Sequence, residues 1–412
     1  MTGELNVISA ANDVTPQASP EVGIDAAVSS KSWSFKSAAG WMADALKGKL
    51  TSSLAKGKAK ELQEAAARKT DAIRQYEYVV ARRSILGDLS SLPISATQEC
   101  IVNTKAARRK ERLRLVNEEM VACPEHGTEA ARLRKDMDEV ENMRCAKHVY
   151  LANDPDAPVE LRDNPPPGFK KATAEQMEKM GLNEKMLNPE KSNFKAAAYI
   201  KDPAVWGSDP KPEAVVAFRG STPADEDWQN NFNQDANKDA PYYRNAVQIG
   251  NALAAMDASI HIVGHSLGGG LASAAQGGSG LTASTYNAAG LHPATVARYT
   301  QDAQHMAAET EKITTIRVKG EVLTKTQENL WGSNGLSLLA NDAVGIKQDI
   351  SPSHNEASFE KLKEQKKVDA VDSYDTYLHG MDEVIDSTEK SKVSDEVVLK
   401  SCRQQQEEMG WP

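Results

Sequence analysis

Ile260-His261-Ile262-Val263-Gly264-His265-Ser266-Leu267-Gly268-Gly269-Gly270 is the stretch whose reading decides the fold. A short apolar run leads into Gly-x-Ser-x-Gly, and a Gly/Ala/Ser segment able to start a helix follows. The order predicts a buried strand over residues 259–263, a sharp turn with Ser266 at its apex, and a tightly packed helix over 267–276. Gly264 and Gly268 let strand and helix approach closely, while the turn forces an unfavourable backbone angle on the serine. The hydroxyl would then project from the carboxyl edge of a sheet, beside helix amides able to hold an oxyanion. An isolated Gly-x-Ser-x-Gly is weak, because both residue types are common in loops; the strand before and the helix after give it weight.

Outward from the turn, strands and helices alternate from about residue 169 onward. Residues 194–200, 214–218, 281–287 and 313–318 read as strands, and 242–256 and 295–308 as helices. The fold class expected is α/β, a mostly parallel sheet flanked by helices, with the active site at the carboxyl ends of the strands. Upstream, residues 57–148 read as highly charged helices with narrow apolar stripes that must dock on something, broken near Pro93 and Cys123-Pro124. Five prolines in 153–168 mark a connector, and residues 1–50 read as largely disordered, with room for a short helix near 37–50. The expected partition is 1–50, a helical region with its connector at 51–165, and a catalytic domain at 166–412.

The 412 residues carry a formal charge of −9, which does not suggest nucleic acid as a partner. The basic run Arg108-Arg109-Lys110-Glu111-Arg112-Leu113-Arg114 reads as a solvated helix face. No segment reaches the ~20 apolar residues that span a bilayer. The N-terminus lacks a basic start followed by an apolar block, so no general secretion signal is expected. A lipid-directed enzyme of this kind would be cytoplasmic or exported by a machine that does not read such signals. Of the four cysteines, Cys123-x-x-His126 and Cys145-x-x-His148 repeat a spacing that could hold zinc. The plainer reading is incidental histidines near helix ends, or one disulfide among Cys100, Cys123 and Cys145.

Serine is a poor nucleophile at neutral pH and needs a base, which a carboxylate must orient. In strand–turn–helix sites of this type the acid and then the histidine follow the serine in the chain. His292 comes too early and His305 falls within an expected helix. His379, on a loop before a C-terminal helix, is the favoured base, with His354 the alternative. Glu321, after the strand 313–318 and Gly320, is the favoured acid, with Asp342 the alternative. The oxyanion hole is expected from the amide of Leu267 and from Ser221, on the loop after strand 214–218. Leu330, Trp331, Leu336, Leu338 and Leu339 form an apolar patch between acid and base that reads equally as a lid or acyl-binding loop and as a core helix. No metal or other cofactor is called for by this chemistry.

With these residues in place the chain resembles the class 3 lipase family of α/β-hydrolases. The resemblance rests on Phe218-Arg219-Gly220-Ser221, Asp227-Trp228 with Asn231-Phe232, Gly264-His265-Ser266-Leu267-Gly268-Gly269 and Asn287-Ala288-Ala289-Gly290-Leu291, and covers roughly residues 190–390. The family normally has Thr where Ser221 stands, a residue that helps form its oxyanion hole, and Asp as its acid where this chain offers Glu321. A lipase-like domain behind a charged helical region is also similar to phospholipase effectors delivered by type VI secretion. That likeness implies an antibacterial toxin acting on phospholipid at a rival's envelope, with an immunity protein and a secretion-machinery component as partners. The alternatives are an acyltransferase or small-ester esterase of the same fold, and an inactive hydrolase fold used for binding.

Overall fold

The computed structural model describes residues 53–408, except 209, 223, 257–258, 301–304, 329–340 and 366–372. The expectations for residues 1–50 and for Leu330, Trp331, Leu336, Leu338 and Leu339 fall outside the described residues. Three long helices come first: α1 (Ser53–Leu86), α2 (Gln98–Ala122) and α3 (Gly127–Ala152). Their breaks lie where the prolines place them, around Pro93 and at the turn Pro124–His126.

Among the described residues, the sheet has seven strands in sequential order: β1 (Phe169–Lys171), β2 (Ala196–Lys201), β3 (Ala214–Phe218), β4 (Ile260–His265), β5 (Thr282–Tyr286), β6 (Ile313–Val318) and β7 (Ile346–Ile350). β1, β2 and β3 pair antiparallel; β3 to β7 are parallel. All five residues of β3 are buried, so both faces of the sheet must be covered. Ala214, Val216 and Phe218 face one core, shared with Ile260, Ile262 and the helices α5 (Pro241–Ala254) and α6 (Leu267–Ser279), which follow α4 (Asp225–Asp235). Val215 and Ala217 face the other core, with Val263, Tyr286 and Ile316.

Among the described residues, that second face has no crossover helix of its own. Parallel strands added always in one direction, with connections of one hand, leave their helices on one side. The other side is covered by Val140, Met143, Ala146 and Val149 of α3 and by Val384 and Ile385 of the last helix, α9 (Met381–Glu408). Between β6 and α9 come α7 (Val322–Glu328) and α8 (Tyr374–His379). The apolar stripe of α3 thus docks on the sheet, and a boundary near residue 165 divides the chain without dividing the core.

Several expectations need correction. The helix over 295–308 is only Thr295–Tyr299, because the chain at 307–308 passes so close over Gly277 that a Cβ there would lie 2.8 Å from the Ala308 amide. The basic run on α2 is not simply solvated: Arg108 and Arg112 pair with Asp88, Arg109 pairs with Asp138, and its guanidinium lies 4.0 Å over the Trp206 ring. The cysteine pairing is Cys123–Cys402, leaving Cys100 exposed and Cys145 buried, both free. His148 is buried and bonds Tyr199 through Nδ1, so the two Cys-x-x-His pairs do not form a common ligand set. Among the described residues, no helix is long and apolar enough to cross a membrane.

Candidate active site

β4 ends at His265 and α6 starts at Leu267, so Ser266 alone makes the turn. Its φ of 58° lies in the left-handed region, a strained conformation for a residue with a Cβ. The close approach needs glycine on both sides: a Cβ at Gly264 would lie 1.9 Å from the Gly268 carbonyl oxygen, and one at Gly268 would lie 2.3 Å from that of Phe218. The Ser266 backbone is pinned by its amide to the Tyr286 carbonyl and by its own carbonyl to the amides of Gly269 and Ala289. The strain is therefore held jointly by β5, the segment after it and the first turn of α6.

His379, the last residue of α8, lies with Nε2 3.0 Å from the Ser266 hydroxyl. Its Nδ1 lies 2.7 Å from Oε2 of Glu321. Glu321 is fully buried at the end of β6, where the amides of Leu323 and Thr324 in α7 donate to its two oxygens. Burial opposes charge on this carboxyl, but the bonds from His379, Thr324 and Leu323 outweigh it and hold the group below its ordinary value. It is thus ionised at neutral pH and oriented to accept from Nδ1–H. The Ser–His–Glu line runs across the carboxyl ends of β4 and β6.

Leu267 opens α6, so its amide belongs to the first turn, whose donors have no carbonyl partner inside the helix. Ser221 lies half-buried on the loop after β3. That loop is braced by Asp227, buried at the start of α4, which accepts from the amide and hydroxyl of Thr222, from Asn193 Nδ2 and from the Tyr242 hydroxyl. The structure leaves the other candidates apart from Ser266. Asp342 is exposed and pairs with Lys347 at 3.5 Å; His354 pairs with Glu383; His292 accepts from the amide of Ala294.

A family model for the Tle-like phospholipase domain matches residues 141–371. The chain belongs to that family. The match runs from within α3 through the Ser266 elbow and Glu321, and His379 lies just past its end. The chain is also 29% identical over 250 residues to an extracellular phospholipase A1 of Serratia liquefaciens, covering 60% of this chain and 69% of that protein. The fold is accordingly that of an α/β-hydrolase, and the chain carries the phospholipase class of ester hydrolase.

Three residues with a part in this geometry had no role in the sequence reading. Asn287, at φ 42° after β5, donates from Nδ2 to the carbonyls of Leu378 (3.1 Å) and His379 (3.0 Å), and its Oδ1 accepts from the Val318 amide at 2.9 Å. It ties the base loop to the acid's strand. His265 donates from Nε2 to the His379 carbonyl at 2.7 Å. Burial, reinforced by the neighbouring His379, lowers His265 to about 3, so the ring is neutral and this donor is its one proton. Tyr150 of α3 lies with its hydroxyl 3.0 Å from His265 Nδ1. A positive-φ asparagine at a strand end is a visible sequence signal; a tyrosine arriving from another layer of the fold is not.

Proposed function

We propose that this chain is a serine-dependent phospholipase of the A type, in which Ser266 is the nucleophile, His379 the base and Glu321 the orienting acid. The observation that carries the reading is the unbroken line from the Ser266 hydroxyl through both nitrogens of His379 to a buried, ionised Glu321. In this scheme His379 Nε2 takes the hydroxyl proton as Ser266 attacks the ester carbonyl. Glu321 holds Nδ1–H and stabilises the imidazolium that forms. The amides of Leu267 and Ser221 receive the charge on the tetrahedral intermediate. His379 then returns the proton to the leaving glycerol oxygen, and water releases the fatty acid by the same steps in reverse order of roles. Incubation with defined phospholipids, wild type beside Ser266→Ala, tests the scheme; fatty-acid release by the alanine variant would end it.

The biological role proposed is that of an antibacterial effector acting on membrane phospholipid in a rival's envelope and neutralised in the producer by an immunity protein. Its support is the family to which the domain belongs and the extracellular setting of the Serratia relative. The helical region at 51–165 is proposed to serve the sheet with α3 and to offer α1 and α2 to an immunity or secretion partner. Directing the wild type to the periplasm of a susceptible cell should be toxic, while the same protein in the cytoplasm, or Ser266→Ala in the periplasm, should not be. Equal toxicity in both compartments would remove the envelope as the target.

A further inference from the structure

The site has two walls that must keep their spacing: the loop at Gly220–Ser221 and the loop that carries His379. A single side chain touches the first and reaches the second through one neighbour. The Tyr150 oxygen sits so close to the first wall that a Cβ on Gly220 would lie 2.0 Å from it, and the Gly220 backbone bonds it. Its hydroxyl reaches the second wall through one intermediary. His265 accepts at Nδ1 from Tyr150 (3.0 Å) and donates from Nε2 to the His379 carbonyl (2.7 Å). The three rings follow one another, with centroids 5.9 Å apart for Tyr150 and His265 and 5.0 Å for His265 and His379. The tyrosine comes from α3, outside the strand–helix alternation that builds the rest of the site.

We propose that Tyr150 is a positioning residue for the reaction: by donating to His265 Nδ1 it fixes the His265 tautomer that grips the His379 carbonyl, and so sets the distance between the base and the oxyanion loop. A neutral imidazole carries one N–H. With Tyr150 donating to Nδ1, that proton must sit on Nε2, where the His379 carbonyl needs it. Without the hydroxyl, Nδ1 becomes a buried acceptor lacking a partner, and the ring relieves that cost by turning toward water or another donor, which loosens its Nε2 bond to the carbonyl. His379 would still find Ser266, but over a wider range of geometries. Small displacements of this kind are felt in kcat, because the aligned fraction of complexes falls while substrate binding is untouched.

The inference rests on Ser266 and His379 being nucleophile and base, and the experiment separates the two ideas. Tyr150→Phe, His265→Gln, the double variant and Ser266→Ala are assayed on a soluble short-chain ester, with Tm measured for each. Tyr150→Phe should lower kcat about ten- to a hundredfold and change KM by less than about threefold. The double variant should lose little more than the worse single one, since both act along one path. Unchanged kcat in Tyr150→Phe, or losses that multiply in the double variant, overturns the proposal. If Tyr150→Phe does not fold, His265→Gln decides alone, and wild-type kcat there also overturns it. Activity in Ser266→Ala would instead overturn the serine mechanism, leaving the Tyr150 result to be read separately.

Discussion

His379 and His354 each hold a glutamate oxygen 2.7 Å from Nδ1, Glu321 for the first and Glu383 for the second, and each has a serine hydroxyl within reach. The difference lies in which nitrogen the serine meets. Ser266 is on Nε2 of His379, across the ring from the carboxylate, so a proton taken from the serine leaves charge where Glu321 can steady it. Ser353 is on Nδ1 of His354, the same atom that meets Glu383, and the Ser353 hydroxyl reaches Glu383 itself at 3.0 Å. There the three groups form a closed knot with no route through the ring. Ser266 also sits at positive φ at the head of α6, whereas Ser353 is an ordinary loop residue whose amide Glu383 also holds. Residue types alone do not distinguish these clusters; direction through the imidazole does. The His354 cluster clasps the chain after β7 to α9.

Exchanging the two serines gives the widest contrast. Ser266→Ala should lower kcat about a millionfold on any ester substrate, with the fold intact. Ser353→Ala should stay within about twofold of the wild type. Comparable losses from both would erase the distinction. Next in size is the pair of acids. Glu321→Gln should cost about 10⁴ in kcat, since an amide in that place no longer fixes the tautomer or steadies the imidazolium. Glu383→Gln should leave kcat within about threefold and remove about 1–3 kcal/mol of stability, read as a lower Tm.

The smallest effect is in pH. The bond to Glu383 raises His354 above its ordinary value, burial opposing, while burial raises Glu383 and the bonds from His354 and Ser353 outweigh it to a net lowering. The stability from the raised histidine is complete below about pH 6.5 and fades as pH climbs through the folded value. That from the lowered glutamate is present above about pH 4.5 and fades as pH falls through its folded value. The Tm difference between wild type and His354→Gln should therefore be largest between about pH 4.5 and 6.5 and shrink toward pH 8. A difference growing with pH would show that the clasp does not depend on the charged ring.

The fold was open to reading where neighbours in sequence decide structure. The bounds of β3 and β6 follow from unbroken runs of β-formers between turn residues, and the elbow from its glycines. The 295–308 helix was misread because Ala, Gln and Met favour helix, while Gly277 of α6 lets the chain at 307–308 pass close against it. Order along the chain singled out Ser266, Glu321 and His379, each of which follows a strand or precedes a helix, and the structure brings their side chains together. Tyr150, the docking of α3 and the Cys123–Cys402 bond could not, because each joins residues far apart in the chain and no local pattern marks its partner.

The winding of the sheet has a consequence for when the enzyme exists. One face is roofed by crossovers made as each strand is added, but the other waits for α3 from before the sheet and α9 from after it. During synthesis, α3 is already made and can cover Val215, Val263 and Tyr286 as their strands are added, while the β6 side of that face, at Ile316, is completed only when Val384 and Ile385 follow. His379 stands at the threshold of that closing helix. The contact between His379 and Ser266 is therefore completed only after every described strand of the sheet and its α3 cover have been made.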